Sequence, residues 1–205
     1  MLRSIHLIAA AICCCISAMC QVTAPQVMAN TVKAINTAPS LQAGFTATSS
    51  DNERVEGTLC MRRDRFSMVT PQVATWYDGA HMWTYNKSAG ETSLTSPTDE
   101  ELLEANPFFI INQYSAYYKP RITRHAGESY VIRLESTSND APMKSADITV
   151  NSSTWLPTKV AATFANGSSI LIDITSMRVL KSALPASAFT YPADKYPGIE
   201  VIDLR

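Results

Sequence analysis

Residues 57–69 read Gly57-Thr58-Leu59-Cys60-Met61-Arg62-Arg63-Asp64-Arg65-Phe66-Ser67-Met68-Val69. Leu59 and Met61 alternate with Thr58 and Cys60, Phe66 and Met68 alternate with Ser67 and Val69, and Arg63-Asp64 between the two runs is a turn signal. A period of two is the mark of strands with one apolar face. Working outward, short apolar strand-like runs return at residues 130–134, 147–150, 159–164 and 169–174. Turn signals punctuate the chain at Asp51-Asn52, Asp78-Gly79, Asn139-Asp140 and Asn166-Gly167. Short strands following one another in this way predict an antiparallel meander.

Two stretches change the period. Between residues 25 and 38 the apolar Met28, Val32 and Ile35 stand at i, i+4 and i+7, which lines one face of a helix, and Pro39 ends it because the residue before a proline is pushed out of the helical region. Residues 96–101, Ser-Pro-Thr-Asp-Glu-Glu, predict a second helix start with Thr98 as N-cap and Glu101 at N3. That helix runs through Leu102 and Leu103 to about Ala105, where Asn106-Pro107 breaks it. Phe108 to Ile111 then opens another apolar run that ends near Tyr118. No linker, repeat or low-complexity tract divides the chain, so one domain is expected.

The N-terminus reads as an export signal. Arg3 precedes a small and apolar run from Ile5 to Ile16 broken by His6, and Ala18-Met19-Cys20 before Gln21 is a cleavage site. The run is too short for a membrane anchor, which needs about 20 apolar residues. Residues 1–20 are therefore expected to be a signal peptide and 21–205 the mature domain. Lipid modification of a cysteine is the competing reading, against which stand Met19 before Cys20 and Ile12 before Cys13 where a small residue is needed. Cleavage removes Cys13, Cys14, Cys15 and Cys20, so Cys60 is left alone and no internal disulfide is expected. The whole chain carries a formal net charge of −1, which points to neither nucleic acid nor an anionic membrane surface.

Catalytic chemistry finds few residues to stand on. The mature chain holds His81 and His125 with no second ligand at metal spacing, and it lacks a nucleophile elbow, a zinc-protease pair and a phosphate loop. Asp99, Glu100, Glu101 and Glu104 form the densest carboxylate group, but acids in the first turns of a helix are explained by its dipole. Cys60 in a strand reads as a small buried hydrophobe rather than a reactive thiol. No enzyme activity, cofactor or metal is expected.

Five local patterns, taken in order, resemble the LolA family of periplasmic lipoprotein carriers. These are residues 41–46, Leu-Gln-Ala-Gly-Phe-Thr; Gly57-Thr58-Leu59-Cys60-Met61-Arg62 with Phe66; Tyr77-Asp78-Gly79 with residues 82–86, Met-Trp-Thr-Tyr-Asn; residues 106–111, Asn-Pro-Phe-Phe-Ile-Ile; and residues 189–192 leading to Gly198-Ile199-Glu200-Val201-Ile202-Asp203. The resemblance implies a mainly β fold with helices: a strongly curved antiparallel sheet, an incomplete β-barrel covered by a helical lid. The sequence departs from the family at Arg63, where a proline is usual, and at Ser67-Met68, where Arg-Trp is usual.

What the resemblance implies for function is a monomeric periplasmic carrier that holds acyl chains of lipoproteins in an apolar cavity and shuttles them from the inner to the outer membrane. Each methylene left in water costs ~0.8 kcal/mol, which is why such a carrier must be hollow or able to open. The implied cavity residues are Phe45, Leu59, Met61, Phe66, Met68, Phe108 and Ile110, with ordinary core packing as the alternative for Phe108 and Ile110. Arg62 is the implied lid latch, bonded to lid backbone carbonyls, and it shares the face of Phe66 if the chain stays extended through Arg63 to Arg65. A surface Arg62 paired with a carboxylate is the alternative. Implied partners are acylated lipoproteins, an inner-membrane ATP-driven lipoprotein-releasing complex and an outer-membrane acceptor. Two other functions fit the same fold: a sensor of mislocalised lipoproteins, and a generic lipid or glycolipid binder. Sensors usually carry a further C-terminal domain, and this sequence stops just after the terminal motif, which is the expectation of a carrier.

Overall fold

A computed structural model describes residues 22–205. The predicted export segment, its cleavage before Gln21 and the competing lipidation of Cys20 lie outside the described residues. The alternation of residues 57–69 folds as a hairpin of β2 (Arg54–Arg62) and β3 (Arg65–Val69), and Arg63, at φ 58°, turns the chain between them. β1 (Leu41–Ser49) precedes it, and β4 (Val73–Tyr77), β5 (Met82–Asn86) and β6 (Glu91–Thr95) continue the meander. A second meander holds β7 (Tyr118–Ala126), β8 (Ser129–Ser136), β9 (Met143–Asn151), β10 (Pro157–Phe164) and β11 (Ser169–Val179).

β1 pairs with both β2 and β11, which joins the two meanders into one 12-stranded sheet that curves without closing. The pairings are antiparallel, except that β12 (Glu200–Asp203) runs parallel to β6 at one edge. β7 is the other edge. The chain leaving β6 must therefore cross the sheet to reach β7. It does so through α2 (Asp99–Ala105), a 3-10 turn (Pro107–Phe109) and α3 (Ile110–Tyr117).

Local chemistry sets these helices. Thr98 accepts from the Glu101 backbone N–H while the Glu101 carboxylate accepts from the Thr98 N–H, a reciprocal cap. Asn106 ends α2 and its Oδ1 accepts the Phe108 N–H, starting the next turn. α1 (Ala24–Thr37) is capped in the same way by Thr23 and Gln26, with Pro25 in its first turn. Its buried face carries Val27, Met28, Thr31 and Ile35, and Val32 sits at the margin, partly buried.

The core lies between these helices and the inner face of the sheet. Ile132, Ile148, Val160 and Ile172 stand in register across β8, β9, β10 and β11 and are all buried. Burying each such side chain contributes about 1.5–3 kcal/mol. On the outer face of the same strands, charge replaces hydrocarbon: Arg133 pairs Asp147 at 2.6 Å, Lys159 pairs Asp173 at 2.8 Å and Arg121 pairs Glu135 at 3.0 Å. Cross-strand pairs this exposed contribute at most about 1 kcal/mol each, so they mark a solvated surface more than they hold it.

Candidate functional site

The inner face of the first meander follows from register. Leu59 stands opposite Met68 and Met61 opposite Phe66, while Phe66 in turn faces Tyr77. Phe45 on β1 faces Gly57, and a Cβ at Gly57 would lie 2.5 Å from the Phe45 ring. Only glycine lets that ring lie flat against β2. From the opposite side come Ile35 of α1, Leu102 and Leu103 of α2, Phe108 of the 3-10 turn, and Ile110 and Ile111 of α3, all in one apolar cluster with the strand residues. The seven residues assigned above to an acyl cavity, Phe45, Leu59, Met61, Phe66, Met68, Phe108 and Ile110, are thus brought together, Met68 at the partly buried margin.

They are packed against one another rather than around a void. The cleft where α1 and the 106–112 segment meet β2 and β3 has a volume of about 10 Å³, on the order of the space one water needs. The roomier depressions of about 490 and 370 Å³ lie elsewhere, at the polar loop around Ser136–Asn139 and over the outer face near Arg133 and Asp147. In this closed arrangement that cleft has no room for an acyl chain until the helices move.

What holds the helices down is almost wholly apolar. Asn106 is buried, and its side-chain nitrogen meets the Met61 sulfur at 3.9 Å, a weak contact. Gln113 Nε2 donates to Asp99 at 3.0 Å, but that bond lies between α3 and α2. Asn112 Oδ1 and Gln113 Oε1 are buried on α3 without a protein donor, and an unpartnered buried acceptor costs about 1–3 kcal/mol. Closure therefore carries a polar penalty.

Arg62 lies differently from the expectation. The turn at Arg63 and Asp64 reverses the chain, so Arg62 and Phe66 sit on different strands; Arg62 pairs with Arg65, next to the Met61–Phe66 pair, and points to the outer face. Its guanidinium donates to the Leu184 carbonyl at 2.9 Å. That acceptor belongs to the C-terminal segment and not to a lid helix. Arg63-Asp64 is a turn and not extended chain, and the reversal it makes puts Arg62 and Phe66 on opposite faces.

The segment from Leu180 to Ile199, which the sequence reading left without a role, straps the outer face of the first meander. Leu180 N–H donates to the Ser40 carbonyl and Leu184 N–H to the Ser40 hydroxyl. Phe189 is fully buried. Trp76 meets Tyr191 at 5.6 Å and Tyr196 at 5.9 Å, edge to face, and Tyr196 packs on Tyr85 at 4.7 Å. Trp83 packs edge to face on His81. Among the described residues the inner-face ladder of Ile132, Ile148, Val160 and Ile172 was also missed, although the strand-like runs of β8 to β11 carried its signal.

Titratable groups add little reactive chemistry. Burial pushes the Cys60 thiol up, against a smaller opposing pull from Arg178, which disfavours the thiolate. The Tyr77 phenol is raised by burial and then by Asp64, Asp78 and Asp99. Tyr118 is raised by burial, though its oxygen accepts the Met143 N–H at 3.0 Å. Among the described residues no group of three or more His, Cys, Asp or Glu is placed to hold a metal ion. No described helix is long and apolar enough to cross a membrane.

Comparison with known proteins gives one sequence-profile match and a set of structural likenesses. The sequence profile described as outer membrane lipoprotein carrier protein LolA matches residues 16–165. An uncharacterized conserved protein from Thermus thermophilus is similar in fold, with a TM-score of 0.59 at 10% identity, over 88% of this chain and 98% of that one. A LolA superfamily protein from Nitrosomonas europaea aligns at a TM-score of 0.45 and 14% identity, over 83% of this chain and 98% of that one. A structure of the Pseudomonas aeruginosa MucA/MucB complex aligns at 0.48 and 13%, over 83% of this chain and 62% of that one. No curated protein matches the sequence.

Proposed function

This chain belongs to the LolA family, whose profile is that of the outer membrane lipoprotein carrier protein, and from that premise we propose that it is a periplasmic carrier of lipoprotein acyl chains between the inner and outer membranes. The observation that carries the proposal is an inner face that is apolar from both sides yet closed to about 10 Å³. Core clusters of that kind are common; what supports a carrier is the way this one is closed. α2 and the body of α3 cross the sheet with the weak Asn106 contact as their tie to the strands beneath. α3 is pinned only at its last residue, where the Tyr117 carbonyl accepts the Thr137 N–H and hydroxyl just past β8, and α3 buries two acceptors without donors.

Undocking the helices exposes Phe45, Leu59, Met61, Phe66 and Met68 on one side and Phe108 and Ile110 on the other. An acyl chain laid between them replaces helix-to-sheet contacts with chain contacts, so the apolar area in water changes little. The differential is small, and small differentials make reversible carriers. Loading would come from an inner-membrane ATP-driven releasing complex and unloading to an outer-membrane acceptor. The chain itself then needs no catalytic group, cofactor or metal.

The test is mass spectrometry of what remains bound after gentle purification from the periplasm. Acylated lipoproteins recovered at near one per carrier are the expected result. Recovery of free phospholipid alone would redirect the assignment to a generic lipid binder, and recovery of the protein with the membrane pellet after a salt wash would remove the soluble carrier.

A further inference from the structure

The closed cleft has a charged rim. Arg63, Asp64 and Arg65 line its outer end beside Met61 and Phe66, and the same three residues with Arg62 line an adjoining groove of about 130 Å³. Among the described residues neither Arg63 nor Arg65 takes part in an ion pair, while every salt bridge of the sheet lies elsewhere. Of the nearby acids, Asp78 and Asp99 are engaged elsewhere and Asp64 lies in the groove itself. Asp78 accepts the Ala80 and His81 N–H groups and Asp99 accepts from Gln113, while the Asp64 carboxylate, the one carboxylate in the groove, and Arg65 Nε both lie beside Gly79. The groove is left with an excess of guanidinium over carboxylate.

We propose that this rim seats the anionic head of an amphiphile, a phosphate or carboxylate attached directly to an alkyl chain, with Arg63 and Arg65 on the anion and the chain in the cleft between Met61, Phe66 and Phe108. The proposal rests on the carrier reading for the apolar cleft that takes the chain, and adds to the lipoprotein acyl chains a second class of occupant, a single-chain anionic amphiphile. Two features of the place favour it over a solvated basic turn. A guanidinium presents a planar fork of donors that matches phosphate and carboxylate oxygens. Its attraction for an anion is also less screened at the margin of an apolar cleft than on open surface. Arg63 is held in the left-handed region, at φ 58°, a conformation uncommon for a residue with a side chain. This turn sets Arg63 at the cleft's mouth, while Arg65, on the outer face opposite Arg62, lines the same rim from the other side of the hairpin end.

Competition against a bound apolar fluorescent probe tests it, with dodecyl phosphate, dodecanol and inorganic phosphate as competitors below micellar concentrations and at low salt. The expected result is that dodecyl phosphate displaces the probe on the order of tenfold better than dodecanol, the ratio of one well-made charged hydrogen bond. That ratio should shrink as salt rises, fall close to one in R63Q/R65Q, and stay above one in R63K/R65K. Inorganic phosphate should not displace the probe. If R63Q/R65Q does not fold, R65Q alone and the salt series on the natural protein carry the same decision. Equal potency of the phosphate and the alcohol overturns the head-group seat while leaving chain binding intact. Displacement by inorganic phosphate overturns the coupling of head to chain, and a ratio that survives R63Q/R65Q overturns the assignment to these arginines. Failure of both amphiphiles to displace the probe overturns the carrier reading itself, a result distinct from the others.

Discussion

The sheet is covered on both faces, and the two coverings are held by different forces. On the inner face α2 and α3 rest on hydrocarbon, with a 3.9 Å Asn106–Met61 contact along their length and hydrogen bonds from Thr137 to the Tyr117 carbonyl only where α3 runs into β7. On the outer face the strap from Leu180 to Ile199 is tied by directional bonds: Leu180 and Leu184 to Ser40, Arg62 to Leu184, and finally the β12 ladder with the Leu204 N–H on the Leu94 carbonyl. Apolar contacts are non-directional and tolerate sliding, whereas a hydrogen bond lost on moving must be replaced. The strap is thus part of the fixed frame, and the helices are the part that can move.

The strongest way to break this comparison is to remove the strap's anchor. Phe189 is fully buried, and Phe189→Ala should cost about 3–5 kcal/mol in global stability, read as a lower urea midpoint. A loss below about 1 kcal/mol would mean that the strap floats and that the two coverings are alike. Next in size is Leu103→Ala, under α2. Its loss should be about 2 kcal/mol, at the low end for a buried leucine because the helix can settle or lift. A lifted helix weakens the closed state, so apolar-probe affinity should rise, by up to tenfold for each ~1.4 kcal/mol lost from closure alone. Loss of stability with no gain in affinity would place α2 in the fixed frame.

Arg62 sharpens the same contrast, because the family resemblance makes it a lid latch and the geometry ties it to the strap. Arg62→Leu removes a charged donor from the Leu184 carbonyl, and the expected cost is about 1.5 kcal/mol of stability, measured by denaturant unfolding. A strap tie shows up there. A tightening of probe binding with slower transfer to acceptor membranes would instead restore the latch on the helices.

How much of this was legible in the sequence varied with the range of the forces involved. The 57–69 hairpin, the caps at Thr98 and Glu101 and the stop at Asn106-Pro107 are local, and the chain carries them in adjacent residues. The cavity set was reached only by resemblance for Phe45, Phe108 and Ile110, because nothing near them in sequence says which face of the sheet the helices cover. The packing of the strap was illegible for a related reason, although its residues 189–192 and Gly198-Ile199 carried the family resemblance. Residues 180–199 have neither period, with Pro185, Pro192 and Pro197 interrupting them, and the turn that carries Phe189 packs on β3 and β4, more than a hundred positions away. Arg62 was misplaced because face assignment depends on where the strand ends, and one residue of turn inverts it.

The smallest expected effect lies at the seam between frame and helices. Asp78 closes the β4–β5 turn, and Tyr77 just before it packs edge to face on Phe109, at 6.1 Å, on the helical side. Burial opposes ionisation of Asp78, but the His81 and Ala80 N–H groups at 2.8 Å and the His81 imidazole outweigh it and hold the carboxyl below its ordinary 3.8. A carboxyl lowered on folding contributes stability that is complete above the ordinary carboxylate value and is lost as pH falls through the lowered one. Asp78→Asn keeps the acceptor oxygen and removes the charge, so it should cost about 1 kcal/mol or less near neutrality. The difference in melting temperature between the two proteins should then shrink as pH drops below 3.8 and vanish once Asp78 itself is protonated. If the turn belongs to the frame, that loss appears as global stability with the helices still closed. A gain in probe affinity on acidification that Asp78→Asn reproduces at pH 7 would place the turn on the moving side, and the boundary drawn between the two coverings would shift from the helices to the β4–β5 hairpin.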